Sequence, residues 1–207
     1  MTRYGMAIDQ SRCIGCHACA MACKIANNMP ADVVYNRVIT VGSDYIDCAS
    51  GTYENPSLEY LPMQCQHCEE PACLQVCPTG ATQKDPDTGI VTVDEELCIG
   101  CESCIKACPY EGVRTLLPSE PTYYLDMEVG EADAPKHAGG TVEKCTFCAN
   151  LVARGETPAC MVLCPGRARW WGDLDDPESE VSKAIAGREY TLLNEEAGTK
   201  PNVYYLH

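Results

Sequence analysis

Hydrophobic positions in this chain come in short runs broken by Gly, Pro, Asn and Asp, a pattern that predicts brief strands and helices joined by many turns. Thr2 to Ile8 alternates, with Tyr4, Met6 and Ile8 on one side, the period of a half-buried strand. A helix is expected to run from Cys19 to Asn27 or Asn28, a natural stop before Met29-Pro30. The β-branched stretch from Asp32 to Val41 reads as a second strand. Farther on, ATQKDPDTGIVTVD places two β-prone arms around the turn Asp85-Pro86-Asp87-Thr88-Gly89, a hairpin. The spacer from Pro109 to residue 144 reads as a loop with one aromatic strand, Thr122 to Val129. Next come a two-turn helix in NLVARGETPA ending near Gly155, a strand from Ala168 to Gly172 carrying Trp170 and Trp171, and a short helix from Pro177 to Ala186. A final extended segment reads PNVYYLH. No apolar run reaches the roughly eighteen residues of a membrane span, so no direct crossing is expected.

Cysteine changes this picture. There are 17 in 207 residues, and all but Cys48 fall into four groups of four. Group one is Cys13, Cys16, Cys19 and Cys23; group two is Cys65, Cys68, Cys73 and Cys77, followed by Pro78. Group three, Cys98, Cys101, Cys104 and Cys108, ends at Pro109, and group four is Cys145, Cys148, Cys160 and Cys164 with Pro165. Such spacing matches the bacterial ferredoxin run for a [4Fe–4S] cubane. Three thiolates on one short loop wrap a cubane, with Gly100 letting the backbone approach, while the fourth begins a helical step away and points at another cluster. Lys24 stands where the other groups have proline; proline shapes the turn and binds no iron, so the ligand reading of group one stands.

A disulfide scaffold would require a secretory context, and MTRYGMAIDQSRCIGC offers no apolar signal core before the first cysteine. Zinc sites join two separated pairs, whereas groups one and three each pack four cysteines into eleven residues. Iron–sulfur chemistry is therefore the reading. Cys48, alone in a polar loop, is expected to be a structural thiol in a buried or semi-buried place.

If every fourth cysteine crosses to a neighbouring cluster, groups two and three pair around their hairpin and groups one and four pair by elimination. The four quartets are then Cys13, Cys16, Cys19 and Cys164; Cys23, Cys145, Cys148 and Cys160; Cys77, Cys98, Cys101 and Cys104; and Cys65, Cys68, Cys73 and Cys108. The implied fold is α+β, loop-rich and pseudo-two-fold, with two ferredoxin-like halves carrying four [4Fe–4S] sites. One half spans 1–50 plus 140–175, and the other, 59–112, is inserted into it. Residues 113–139 connect them, and 176–207 form a C-terminal extension for docking.

Net charge is -15, from 15 basic and 30 acidic residues, and thiolate-bound cubanes add more negative charge, which excludes nucleic acid as a partner class. Within the loops, His17, Gln66, His67 and Glu102 are candidate tuners of cluster potential, with Lys24 and Lys106 as nearby positive charges.

The four groups in this order, the eleven-residue gap in the fourth and the NVYYL ending resemble the iron–sulfur subunit of the dimethyl sulfoxide reductase family of molybdenum and tungsten enzymes. The resemblance covers nearly the whole chain. It implies a non-catalytic electron-transfer subunit with no catalytic residues of its own, partnered by a catalytic subunit holding a molybdenum or tungsten bis-pterin cofactor and by a membrane quinone-binding subunit. It further implies a relay running group one, four, three, two, with group one at the catalytic subunit and group two at the membrane side. Some members replace the second cysteine of group three with tryptophan and hold a three-iron cluster; Cys101 implies four cubanes here. The implied setting is a membrane-associated complex of anaerobic respiration, at the extracytoplasmic face by co-export with the partner, with a cytoplasmic setting as the alternative. The rival assignment is a polyferredoxin-type subunit of a hydrogenase or formate-dehydrogenase complex.

Overall fold

The structure, a computed structural model, describes residues 2–207. In chain order its elements are β1 (Tyr4–Asp9), α1 (Ala18–Ala26), β2 (Asn36–Thr40), β3 (Ser50–Thr52), β4 (Asn55–Ser57), β5 (Tyr60–Gln64), α2 (Ala72–Gln75), β6 (Thr82–Lys84) and β7 (Val91–Val93). There follow α3 (Ser103–Lys106), β8 (Arg114–Leu116), β9 (Val142–Lys144), α4 (Ala149–Ala153), α5 (Ala159–Val162), β10 (Arg169–Asp173), α6 (Glu180–Ile185), β11 (Tyr190–Thr191) and β12 (Val203–Leu206).

The alternating run at the start of the chain becomes β1, which lies inside a four-stranded sheet of order β10-β1-β12-β11. It pairs antiparallel with β10 and parallel with β12. Its alternation divides the core, because successive side chains leave opposite faces of a strand. Met6 and Ile8 join Trp171, Val203 and Tyr205 on the face that meets the cysteines. Ala7 joins Val181 and Leu206 on the other face, which α6 covers. Gly5 lets three chain segments meet: a Cβ there would run into the Leu174 side chain and stand 2.6 Å from the Asn202 carbonyl. The tandem tryptophans part in the same way. Trp171 stacks on Tyr4 at 5.0 Å and meets Phe147 edge-on, whereas Trp170 lies beneath the Arg12 guanidinium on the far side.

Four two-stranded pairs complete the framework: β2 with β5, β3 with β4, β6 with β7, and β8 with β9. The hairpin of β6 and β7 forms where the Asp85 turn places it, its carboxylate accepting from the Asp87 and Thr88 amides. Helices α1 and α5 pack together, as do α2 and α3, bringing group one to group four and group two to group three. No helix among the described residues is long and apolar enough to cross a membrane.

The structure departs from the sequence expectations at four places. Thr122 to Val129 is not a strand: Tyr124, Leu125 and Met127 are exposed, and no neighbouring chain segment among the described residues offers a ladder. The spacer is instead closed at its ends by β8 and β9, whose three-residue strands are too short to show a period. Cys48 is exposed rather than buried, beside the outward-facing Tyr45 and Ile46 and before the small hairpin of β3 and β4. The helix after Cys148 lasts a little over one turn, because Gly155 turns left-handed, and α5 forms separately after Pro158.

The last stretch, 176–207, works inside the fold. Thr199 and Lys200 accept from the Glu70 and Glu69 amides at 3.1 and 2.8 Å, and the Asn202 side chain donates to the His67 carbonyl and to Glu69, both at 2.8 Å. β12 then enters the sheet, and the Tyr205 hydroxyl donates to the Pro62 carbonyl at 2.9 Å. The tail therefore clasps the group-two loop to the first strand. Leu206→Ala, at a fully buried position, is expected to cost about 2–5 kcal/mol. Amide exchange should accelerate in β1 and β12 and remain slow in the hairpin of β6 and β7.

Candidate iron–sulfur centres

Each cysteine group sits on a loop bent by a residue in the left-handed region. In group one it is His17 (φ 58°), in group two His67 (φ 43°), in group three Glu102 (φ 60°), and in group four Phe147 and Cys148 (φ 53° and 51°). Only glycine adopts this region freely, and other residues each cost of order 1–3 kcal/mol unless their surroundings compensate. Three of the residues read from sequence as tuners are thus backbone-bending positions. Gly100 also turns left-handed, and a Cβ there would collide with the Gly140 carbonyl.

The loops bring the thiols together across groups. Burial raises the Cys23 thiol well above its ordinary pKa, and the thiols of Cys145, Cys160 and Cys148 add to the shift. Cys13 is raised by burial with Cys19 and Cys164 as its thiol neighbours. Burial pushes Cys108 up to about 12, and Cys65 and Cys73 crowd it further. Cys77, Cys98, Cys101 and Cys104 line one cavity, with Ile99 and Val142 in its wall. Among the described residues no three Cys, His, Asp or Glu side chains are grouped as a single tetrahedral ion would need. Cys16 stands exposed on the loop between Cys13 and Cys19.

Amide donors point at the sulfur atoms. Thr82 N–H lies 3.5 Å from Cys77 Sγ, Val142 N–H 3.3 Å from Cys98, Phe147 N–H 3.4 Å from Cys145 and Ala168 N–H 3.4 Å from Cys164. Such donors favour the thiolate. At Cys77 burial opposes ionisation, yet the amide of Thr82 and the contacts from Thr79 and Ala81 bring the pKa down to about 7.

Among the described residues, three buried cations lack any carboxylate partner. Arg114 has two guanidinium nitrogens with no hydrogen-bond partner. Burial works against its charge, and the thiols of Cys73, Cys65, Cys104 and Cys108 favour it. Arg169 reaches Met6 Sδ, Gln64 Oε1, Cys160 Sγ and Asn36 Oδ1 at 3.3 to 3.8 Å, and Cys160, Cys19 and Cys164 support its charge against complete burial. Lys144 donates only to the carbonyls of Val91 and Cys145. An unpaired buried charge costs several kcal/mol, so these positions call for anions where the thiols meet. Thiols gathered across groups, amides aimed at sulfur and buried cations together fit anionic [4Fe–4S] clusters.

Lys24 ties α1 to the segment that follows it, its ammonium donating to the carbonyls of Pro30, Ala31 and Val33 at 2.7 to 2.9 Å, and Lys106 is exposed. Gln66 is buried and donates to the Gln64 carbonyl. His67 is fully buried, stacks on Phe147 at 3.7 Å and accepts from the Val91 amide, and burial holds it neutral. It lies where groups two and four approach: Cys145 of group four has Cys65 of group two as its leading thiol neighbour. Group two thus adjoins group four, the place that the implied order one, four, three, two gives to group three. Arg114, Arg169 and Lys144 escaped the sequence reading; the signal was there for the arginines, each a few residues beyond a Cys-Pro pair.

One further network lies behind Cys23. Tyr35 donates to Glu143 at 2.8 Å, and His137 sets Nδ1 against Glu143 and Nε2 against the Asn27 carbonyl, each at 2.8 Å. Both ring nitrogens face acceptors, so the imidazolium is favoured.

Models described as 4Fe–4S dicluster domains match residues 12–81, 56–121 and 90–165. A Halobacterium salinarum protein named as an iron–sulfur subunit of dimethyl sulfoxide reductase is 46% identical over all of this chain and 80% of its own length. A subunit of the selenate reductase of Mesobacillus selenatarsenatis is 39% identical over 97% of this chain and 70% of itself. The arsenate respiratory reductase iron–sulfur subunit of a Shewanella species is 36% identical, covering 99% and 96%. Cysteine quartets, buried cations and these matches define a ferredoxin-like electron-transfer protein with 4Fe–4S clusters. The chain belongs to the iron–sulfur subunits of the dimethyl sulfoxide reductase family of molybdopterin oxidoreductases.

The His137 network gives a pH-dependent prediction. Burial lowers the histidine pKa, but Glu143 and the Asn27 carbonyl outweigh it and raise the folded value. A raised folded pKa means that the stabilisation is complete below the unfolded value of about 6.5 and is lost as pH rises through the folded one. For a charge-assisted pair this amounts to about 1.5–3 kcal/mol. Amide exchange of residues 130–140, corrected for intrinsic rates, should show protection falling with rising pH, and His137→Gln should flatten the dependence.

Proposed function

We propose that the chain holds four [4Fe–4S] clusters, in two pseudo-two-fold ferredoxin-like halves, and passes electrons between a molybdenum or tungsten bis-pterin catalytic subunit and a second redox partner. The clusters supply reversible one-electron storage; the chain fixes their order and surroundings. Cys13, Cys16, Cys19 and Cys164 hold the first, Cys23, Cys145, Cys148 and Cys160 the second, Cys65, Cys68, Cys73 and Cys108 the third along the path, and Cys77, Cys98, Cys101 and Cys104 the last.

One observation supports this order: within the four cysteine groups, the exposed thiols lie in two separate groups. Cys16 and Cys101 are exposed, while Cys145, Cys148, Cys160, Cys65, Cys68 and Cys73 are buried. Exposed apolar side chains accompany each, Ile14 near Cys16 and Leu97 and Ile99 near Cys101. A relay needs its ends near partners and its middle shielded from water, and this distribution supports ends at groups one and three. The catalytic subunit sits at the group-one end, as family resemblance implies, and a membrane quinone-binding subunit at the group-three end. Attachment to the membrane is then through that partner, on the extracytoplasmic face by co-export with the catalytic subunit. Relatives named as subunits of selenate and arsenate reductases support a catalytic partner.

The isolated complex should contain a molybdenum- or tungsten-bearing chain and about sixteen iron atoms per copy of this subunit. A colourless preparation without iron or acid-labile sulfide would sink the proposal. Cys108→Ser should abolish or convert the cluster of Cys65, Cys68 and Cys73 in cluster-resolved EPR, and a change confined to the cluster of Cys98, Cys101 and Cys104 would reject the crossed ligand sets.

A further inference from the structure

Arg114 and Arg169 occupy matching places. Each is the first residue of a strand, β8 or β10, and each follows the Cys-Pro that closes a cysteine group, Cys108-Pro109 or Cys164-Pro165. Both are buried with about 4% of their surface exposed, and neither has a carboxylate within ion-pairing distance among the described residues. The guanidinium of Arg114 has Cys73, Cys65 and Cys108 of one quartet and Cys104 of the next as charged neighbours. That of Arg169 has Cys19 and Cys164 of one quartet and Cys160 of another. Each arginine thus stands between the two quartets of its own half. The terminal nitrogens of Arg114 have no other use, since nothing else among the described residues accepts from them.

We propose that Arg114 and Arg169 are potential-setting residues, each the shared counter-ion of the two clusters in its half. Reduction adds one electron to a cluster and makes it more negative, so a fixed cation beside it favours the reduced form. A planar guanidinium has five N–H donors in a fixed fork and keeps its proton at every working pH, which lets one side chain serve two anions. Because each arginine faces two clusters, its charge favours the reduced form of both. The two potentials in a half therefore depend on one residue. Lys24, the positive charge read beside group one, is spent on carbonyls.

The inference rests on the four-cluster reading, and one experiment separates the two. Arg114→Met and Arg114→Lys are prepared in the intact complex, iron is counted, and EPR redox titration is run with signals assigned through the cysteine variants. In Arg114→Met the ratio of reduced to oxidised cluster at fixed ambient potential is expected to fall at least about tenfold for both the Cys65 and the Cys98 clusters, a tenfold change being about 59 mV for a one-electron couple. The Cys13 and Cys145 clusters should stay unchanged, and Arg114→Lys should retain most of the wild-type potentials. Full iron content with unaltered potentials in Arg114→Met overturns the inference and leaves the four clusters standing; wild-type protein without four clusters overturns the reading beneath it. If Arg114→Met fails to load, full loading with near-wild-type potentials in Arg114→Lys upholds a role for charge, and failure of both variants rejects it.

Discussion

Burying negative charge is the constraint on which this structure depends. Nine of the cysteines are buried, and burial alone drives thiols such as Cys23 and Cys145 toward the protonated form, in which they bind no metal. The chain answers with backbone amides aimed at sulfur and with three cations that no carboxylate neutralises. Without an anionic occupant these cations would be a liability of several kcal/mol each. Protein and clusters are therefore complementary in sign, and the charged interior is stable only when both are present. Such coupling of metal binding to folding is general where ligands must lose their protons.

The same constraint explains the shortness of the elements. A loop that wraps a cubane must reverse direction within a few residues, and here left-handed residues in all four groups accomplish it. Helices α2, α3 and α5 last about one turn, long enough to carry a third cysteine inward. Regular structure is concentrated in the sheet of β10, β1, β12 and β11, which is closed on one face by α6 and on the other by the cysteine core. The rigid half of the molecule thus holds the first and last parts of the chain, and the loops carry the chemistry.

Much of this is legible in the sequence because the decisive information is local. Spacing within twelve residues identifies Cys98 to Pro109 as a cluster loop, and the turn at Asp85 identifies its hairpin. Alternation likewise reveals β1. What escapes depends on partners distant in the chain. β8 and β9 are three residues each and exist only because they pair across 25 intervening residues. The aromatic run near Tyr124 has strand-like composition but no neighbour to bond. Cys48 has the isolation of a packed thiol, yet its loop projects from the body. The order of the quartets turns on Cys145 meeting Cys65, a contact made by residues 80 positions apart. Arg114 and Arg169 stand a few residues beyond Cys-Pro pairs, but their burial is set by packing against distant segments and not by their immediate sequence.

β12 lies between β1 and β11, and the residues just before it are bonded to the group-two loop. That arrangement has a consequence for biosynthesis. The segment from Cys65 to Cys108 contains all of two cysteine groups and leaves the ribosome as one continuous piece. On the proposed ligand sets the quartets built from groups one and four must wait for Cys160 and Cys164, and the sheet behind them cannot be completed until residue 206 has emerged. Assembly of the molecule is thus ordered in time by its topology: the half that is inserted in the middle has all its ligands first, and the half that begins the chain is the last to close.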